Sequence, residues 1–172
     1  MKIYARMIPL ISREIIARLG DEGDIEVDEN LVEEAELDVG AVMRQYLEEE
    51  RLLNEEVKER LTKLGRPYSD FARLKAAVAQ ERGFLLGDEG IDFVINQMLE
   101  FFLVSNNIEE VFSEDHEMRR KVHDILKKYL TVDEEIDREA RSRIKNLEEG
   151  TPQWEIEYEK NVSQIKRSRG IN

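Results

Sequence analysis

The chain repeats itself at an offset of 83 residues, and this internal repeat constrains its fold more than any other feature. Residues 8–64 align without a gap with residues 91–147, and ten of the 57 aligned pairs are identical. The identical pairs include Ile25/Ile108, Glu26/Glu109, Val39/Val122, Tyr46/Tyr129, Leu47/Leu130 and Leu64/Leu147. Most apolar positions coincide as well. Because unrelated amphipathic helices rarely keep one register over that length, the pattern predicts a tandem duplication of a roughly 83-residue helical unit.

Each half follows one plan when it is read from its 3.6-residue apolar period. The first helix is predicted over residues 9–19, with Gly20 as its C-cap, and its counterpart over residues 88–104. A short connector follows, whose apolar residues are expected to fold back on the helices. The second helix is predicted to be capped by Asp28 in the first half and by Ser113 in the second.

A third helix is predicted in each half, and the halves differ in how it begins. Thr131-Val-Asp-Glu has the spacing of a capping box, which predicts a break near this threonine. The first half has no such cap, which allows its second and third helices to run on as one. Both halves then stop at a glycine, Gly65 or Gly150, and restart after a proline. The last helices are predicted over residues 69–82 and 152–167.

The predicted fold is all-α, because strand patterns are confined to a short pairing of residues 25–27 with the stretch around Ile108. Residues 83–87, Gly-Phe-Leu-Leu-Gly, are apolar and unlike a flexible linker. The two repeats, 1–83 and 84–172, are therefore expected to pack as one pseudo-twofold helical assembly. The expected core includes Ile15, Leu19, Val42, Tyr46, Met98, Phe102, Ile125 and Tyr129.

Trp154 is predicted to anchor the C-terminal helix to the body of the protein. Thr151 and Pro152 start a helix just before it, and the apolar residues that follow at helical spacing form one stripe with it. Such a stripe needs a partner surface. The most apolar segment of the chain, residues 93–104, is the expected partner.

Composition limits the classes of protein to which the chain can belong. The 41% of hydrophobic residues are enough for a core, which excludes disorder throughout. There is no cysteine, so disulfides, thiolate metal sites and a cysteine nucleophile are excluded. Charges interrupt the apolar residues at the start of the sequence, unlike a secretory signal, and the run 93–104 is far shorter than the ~20 residues that cross a bilayer. We therefore expect a cytoplasmic protein.

Four segments resemble the bacterial family known as domain of unknown function 507. They are GDIEV at 23–27, INQMLEFFL at 95–103, EDHEMRRKV at 114–122 and RIKNLEEGTPQWEIEY at 143–158. The resemblance covers nearly the whole chain, and the last segment is the most specific. It implies a small helical protein of the bacterial cytoplasm, and it supplies no catalytic motif.

The sequence contains no convincing metal or cofactor site, and none is predicted. His116 and His123 lie seven residues apart on one predicted helix, but Arg120 stands where a zinc-protease HExxH motif needs its second histidine. The acidic run 21–38 fails the register of a calcium loop, since Glu29 occupies the position that requires glycine. A metal-assisted hydrolase at the two histidines is kept as a second alternative.

The leading hypothesis is a nonenzymatic helical module for protein–protein interaction or scaffolding. The first alternative is an RNA- or ribosome-associated factor that uses the basic C-terminal tail, since cations and nearby aromatic residues can contact phosphates and bases. A formal net charge of −13 disfavours nucleic acid as a partner. The candidate anion or RNA contacts are Lys160, Lys166, Arg167 and Arg169.

Overall fold

The computed structural model describes residues 5–169, which are mostly helical. The described part contains six α-helices, two 3₁₀ turns at Ala5–Met7 and Tyr68–Asp70, and two short strands. The helices are α1 (Ile8–Asp21), α2 (Val32–Leu64), α3 (Phe71–Arg82), α4 (Gly87–Val104), α5 (Asp115–Arg143) and α6 (Pro152–Ser168), and the strands are β1 (Ile25–Glu26) and β2 (Glu110–Val111). Within this part of the chain, no helix is both long and apolar enough to cross a membrane.

The two strands pair with each other and join the connectors of the two halves. β1 and β2 are antiparallel, with Ile25 opposite Val111 and Glu26 opposite Glu110. The short pairing predicted near Ile108 is therefore confirmed. The strands are too short to form a layer of their own, so their role is to bring the two connectors together over the helices.

The central core is built from α1, α2, α4 and α5, and it draws on both halves of the chain. Six of the eight predicted core residues are buried in it: Ile15, Leu19, Tyr46, Met98, Phe102 and Ile125. The other two, Val42 and Tyr129, are half-buried and pack against the same cluster. The expectation that the halves share one core is confirmed.

Two smaller apolar clusters lie beyond the central core, one in each half. In the first, the C-terminal half of α2 packs on α3 through Leu53, Val57 and Val78. In the second, the C-terminal half of α5 packs on α6 through Ile136 and Ile165. We call these two helix pairs the arms. α2 and α5 each run from the central core into an arm.

The predicted break near Thr131 is wrong, because α5 is continuous from Asp115 to Arg143. The Thr131 hydroxyl donates to the carbonyl oxygen of Lys127, 2.9 Å away and one turn earlier, instead of capping a new helix. Leu126 before it and Ile136 after it are both fully buried. Burial of one continuous stripe thus outweighs a local capping signal. The first half does run on as one helix, as its sequence allows.

The predicted caps are correct at Gly65 and Thr151 and wrong at Gly150 and at the centre. α5 already ends at Arg143, and the left-handed Gly150 belongs to the turn before α6. Thr151 caps α6 by accepting a hydrogen bond from the backbone amide of Trp154, and Gly65 ends α2 in the left-handed conformation, as predicted. Gly20, however, lies inside α1, which ends one residue later, at Asp21. Asp28 accepts from the Asn30 amide in the turn before α2 and caps no helix.

Ser113 is also not a helix cap, because its side chain is used elsewhere. Its hydroxyl donates to the Asp24 carboxylate at 2.6 Å, and the Lys121 ammonium lies 2.6 Å from the other oxygen of the same carboxylate. Asp24 is only 2% exposed. These contacts satisfy a buried charge, which is costly to leave unpaired, and they tie the first connector to the start of α5.

The predicted partner of the Trp154 helix is wrong. α6 packs on the C-terminal half of α5, not on residues 93–104. The short connection between α5 and α6 returns the chain along the helix that it has just left. Trp154 is half-buried, and its ring stacks on Tyr158 with 4.9 Å between ring centroids, while the Arg141 guanidinium lies 5.2 Å from the indole centroid.

Ile165, and not Trp154, is expected to contribute most to the docking of α6. Ile165→Ala should lower the free energy of unfolding by ~2–5 kcal/mol, because the side chain is fully buried between α5 and α6. Trp154→Ala should cost about 1–2 kcal/mol, the loss of a partly exposed stack. Urea unfolding followed by circular dichroism measures both. An equal or larger loss for Trp154→Ala would contradict this ranking.

Gly90 marks a close approach between α4 and α2. A Cβ atom at this position would collide with the Tyr46 hydroxyl and lie 2.7 Å from the Leu85 carbonyl oxygen. Gly90→Ala should therefore destabilise the protein by ~1–3 kcal/mol. Gly20→Ala is the matched control, since a Cβ there meets nothing within 4 Å and alanine favours a helix. Thermal unfolding of both variants tests the packing, and an unchanged melting temperature for Gly90→Ala would refute it.

Candidate functional site

A surface groove runs between α2 and α4 and is the candidate site. It consists of two adjoining cavities of about 390 and 410 Å³ that share Tyr46, Glu49 and Phe93 in their walls. The first cavity extends to Leu53, and the second extends to Val104. The groove therefore follows both helices from the edge of the first arm along the central core.

Tyr46 forms the floor where the two cavities meet. Its hydroxyl donates to the Leu85 carbonyl oxygen at 2.7 Å, and its ring stacks on Phe84 with 4.9 Å between centroids. Burial, helped by the Glu50 carboxylate, raises the pKa of the Tyr46 hydroxyl above its ordinary value. The hydroxyl is therefore protonated and holds residues 84–85 in place as one wall of the groove.

The α4 wall exposes apolar side chains to solvent. Phe93 is 38% exposed and Val104 is 77% exposed, and Phe101 between them is half-buried. These residues fall at spacings of eight and three, which places them on one face of the helix. An exposed apolar stripe beside a groove is typical of a binding surface.

Two carboxylates stand on the rim of the groove, one from each helix. The Glu49 carboxylate accepts from the Gln45 amide at 3.2 Å, and the Glu100 carboxylate accepts from the Gln97 amide at 3.2 Å. Neither carboxylate forms an ion pair within residues 5–169. Arg82 also lines the first cavity, but its guanidinium pairs with Glu56. The rim of the second cavity is thus acidic.

The face of α1 that aligns with the α4 wall at the 83-residue offset carries different side chains. The residues 83 positions before Phe93, Gln97, Phe101 and Val104 are Leu10, Glu14, Arg18 and Asp21. Three of the four are charged. The Tyr129 hydroxyl and the Lys128 ammonium both donate to the Glu14 carboxylate, at 2.6 and 3.0 Å, and so link α5 to α1. Polar contacts cover this face, whereas the face of α4 is apolar and open.

The basic residues of the C-terminal tail do not form a free cationic patch. Lys160 pairs with Glu157, and Arg169 pairs with two acidic residues of α5. Lys166 is only 5% exposed, and Arg167 is exposed at the end of α6. Two of the four side chains are therefore in ion pairs, one is buried, and one is exposed to solvent. Their arrangement provides little of the continuous positive surface that RNA binding requires.

The two histidines are not gathered into a site. His116 is exposed and His123 half-buried, both on α5. Among residues 5–169, no group of three or more His, Cys, Asp or Glu side chains is arranged to hold a metal ion. In the acidic run, Asp24 is paired with Lys121, and Asp38 accepts from the Asn107 amide at 2.6 Å. Asp24 and Asp38 thus hold the connectors, whereas Glu33 and Glu36 of the same run line a separate surface cavity together with Arg13 and Arg44.

Sequence reasoning missed the groove, although a signal for it is present. The apolar pattern predicts that α6 covers Phe93 and Phe101. The stronger signal is the contrast at the 83-residue offset, since Arg18 and Asp21 align with Phe101 and Val104. Where aligned positions are charged in α1 and apolar in α4, the pattern indicates that the α1 face is exposed to solvent and that the α4 face is suited to contact another apolar surface.

The hydrogen-bonded Glu14 carboxylate should make stability depend on pH. Burial raises the pKa of Glu14, but hydrogen bonds from Tyr129 and Lys128 outweigh burial, so the pKa lies below its ordinary value. Burial and the same carboxylate raise the pKa of Tyr129 to about 12. A carboxyl whose pKa is lowered by folding stabilises the protein above its unfolded pKa of ~4.3, and this contribution is lost as the pH falls through the folded value.

Glu14→Gln should therefore lower the free energy of unfolding by about 1 kcal/mol at pH 7, and this difference should disappear at the acid end of the transition. Urea unfolding between pH 7 and pH 3 measures the effect. Glu134→Gln, at an exposed position of α5, is the control and should change stability little at any pH. A constant difference between Glu14→Gln and the wild type across this range would contradict the assignment.

Comparison with known families gives a match over almost the whole chain. The family model described as "Protein of unknown function (DUF507)" matches residues 1–171. The comparison with curated proteins gave no match. The expected resemblance is thus confirmed.

Proposed function

The chain belongs to the DUF507 family, whose function is unknown, and from that premise we propose that it is a nonenzymatic helical module that binds a protein partner in the groove between α2 and α4. The observation that carries this proposal is the open apolar face of α4. Burial of the solvent-accessible parts of Phe93, Phe101 and Val104 against a partner would remove apolar surface from water, which is the main driving force of protein association.

The lining of the groove supports binding more than catalysis. Its walls are mainly aromatic and aliphatic side chains, and its charged and amide side chains are two glutamines, two glutamates and Arg82, which is paired with Glu56. Apolar cores with polar rims are typical of protein interfaces. Histidines, which serve most often as general bases, are not part of this lining. We place the protein in the bacterial cytoplasm, in agreement with its lack of cysteine.

We also propose that the module arose by duplication, with repeats at 1–83 and 84–172. The order of elements supports this, since helix, strand, long helix and arm helix follow each other twice. α2 begins at Val32 and α5 at Asp115, which is the 83-residue offset. Buried positions also coincide at this offset, as in Ile15/Met98, Leu19/Phe102, Val39/Val122, Met43/Leu126, Leu53/Ile136 and Leu61/Ile144.

A photo-crosslinking residue in place of Gln97 tests the groove directly. It should give covalent adducts with a protein in growing bacteria, because this position lines the second cavity. The same residue at exposed Lys127 on α5 should give few. RNA adducts at Gln97, or equal yields at the two positions, would contradict the proposal.

Variants at two matched positions then test the energetics with the partner that the adduct identifies. Phe93→Ala should weaken binding of the purified partner by about tenfold or more, as for an interface anchor. Leu10→Ala is the control, since Leu10 has the equivalent place in the first repeat and is similarly exposed, at 45% against 38%. Equal affinities for the two variants would exclude the α4 face as the docking surface.

A further inference from the structure

We infer that the occupant of the groove is a basic amphipathic α-helix of about three turns, supplied by the partner protein. This inference rests on the proposed function and adds the chemistry of the partner. It depends on the shape of the groove, on its apolar floor and on the charge of its rim.

The shape of the groove fits a helix. Its α2 wall extends from Val42 to Leu53 and its α4 wall from Phe93 to Val104. Each wall therefore covers eleven residue steps, which is roughly 16 Å or three helical turns. The wall residues recur at intervals of three and four along both helices, as in grooves that accept an amphipathic helix. An added helix would pack between α2 and α4 in the way helices already pack in the core.

The floor of the groove favours an apolar stripe on the partner. Tyr46, Val94 and Phe101 line it, and Phe93 stands at the junction of the two cavities. Apolar partner residues at spacings of three, four and seven would meet these side chains on one face. The equivalent face of α1 cannot accept such a stripe, because the Tyr129–Glu14–Lys128 contacts cross it.

The acidic rim of the groove favours a partner helix with positively charged residues on both sides of its apolar stripe. Glu49 and Glu100 stand on opposite helices, and each is held by a neutral glutamine and not by a cation. Glu48 and Glu50, on either side of Glu49 in the sequence, pair with Arg51 and Lys75, whereas Glu49 and Glu100 form no ion pair with residues 5–169 and border an apolar groove. Lysine or arginine residues on a bound helix would supply the missing counter-charges. Complementary charge at a rim mainly directs association and specificity.

Two designed peptides of 18 residues test this inference by fluorescence anisotropy with the full chain. Both place leucine at positions i, i+3, i+4 and i+7 of a helix; the other positions are lysine-rich in one peptide and glutamate-rich in the other. The lysine peptide should bind at least about tenfold more tightly, and its affinity should fall as salt is raised.

Charge-neutralising variants separate the groove from the general acidity of the protein. Glu49→Gln with Glu100→Gln should weaken binding of the lysine peptide about tenfold. Asp124→Asn with Glu134→Gln removes the same charge from exposed positions of α5 and should leave the affinity within about twofold. Circular dichroism checks that both double variants keep their helix content.

Three results would overturn the inference. Equal weakening by the two double variants would mean that the lysine peptide senses only net charge. Equal binding of the two peptides would leave an apolar docking groove, and so the proposed function, but no selection for a basic helix. Self-association of the protein that Phe93→Ala abolishes and Leu10→Ala does not would place a second copy in the groove instead.

Discussion

The structure depends on one apolar core that neither half of the chain can complete alone. α1 packs on α2 in its own half and on α5 in the other, and α4 packs on α5 and on α2. Each of the four helices thus buries side chains against both halves. Because apolar burial is the dominant favourable contribution to folding, the two halves are coupled. The paired strands and the buried Asp24–Lys121 contact lie where the connectors meet and fix the register of the assembly.

The long helices α2 and α5 connect the central core to the two arms. α2 has 33 residues and is therefore about 50 Å long; it contributes Tyr46 to the central core and Leu53 to the first arm. The groove lies at this transition, and its two ends belong to different apolar clusters. Lys58 on α2 and Glu155 on α6 form an ion pair at 2.8 Å, so the arms also meet each other. One continuous helix, α2, thus supplies one wall of the first cavity and also takes part in the central core.

The groove exposes apolar side chains of α4 to water, which is energetically unfavourable, whereas the aligned surface of α1 is charged. Phe93 and Val104 expose apolar area that water does not favour, whereas α1 has Arg18 and Asp21 in that register. The hydrogen bond from the Tyr129 hydroxyl to the Glu14 carboxylate also crosses the α1 face. Under the proposed duplication and the proposed function, one of two equivalent faces is closed by polar contacts and the other is open for a partner. This division explains why helices of similar pattern have such different surfaces.

The sequence by itself determined the features that local chemistry controls. Apolar periodicity placed the helices and six of the eight predicted core residues, and Gly65 and the Thr151–Pro152 start of α6 are where backbone geometry requires them. Tertiary structure decided the rest, because packing overrides weak local preferences. The buried stripe of α5 runs through Thr131 despite its capping pattern, and α6 packs on α5 and so leaves the α4 face open. The α4 wall of the groove stays open because of that choice of partner, which depends on how the side chains of α5 and α6 pack together and not on the periodicity of either helix.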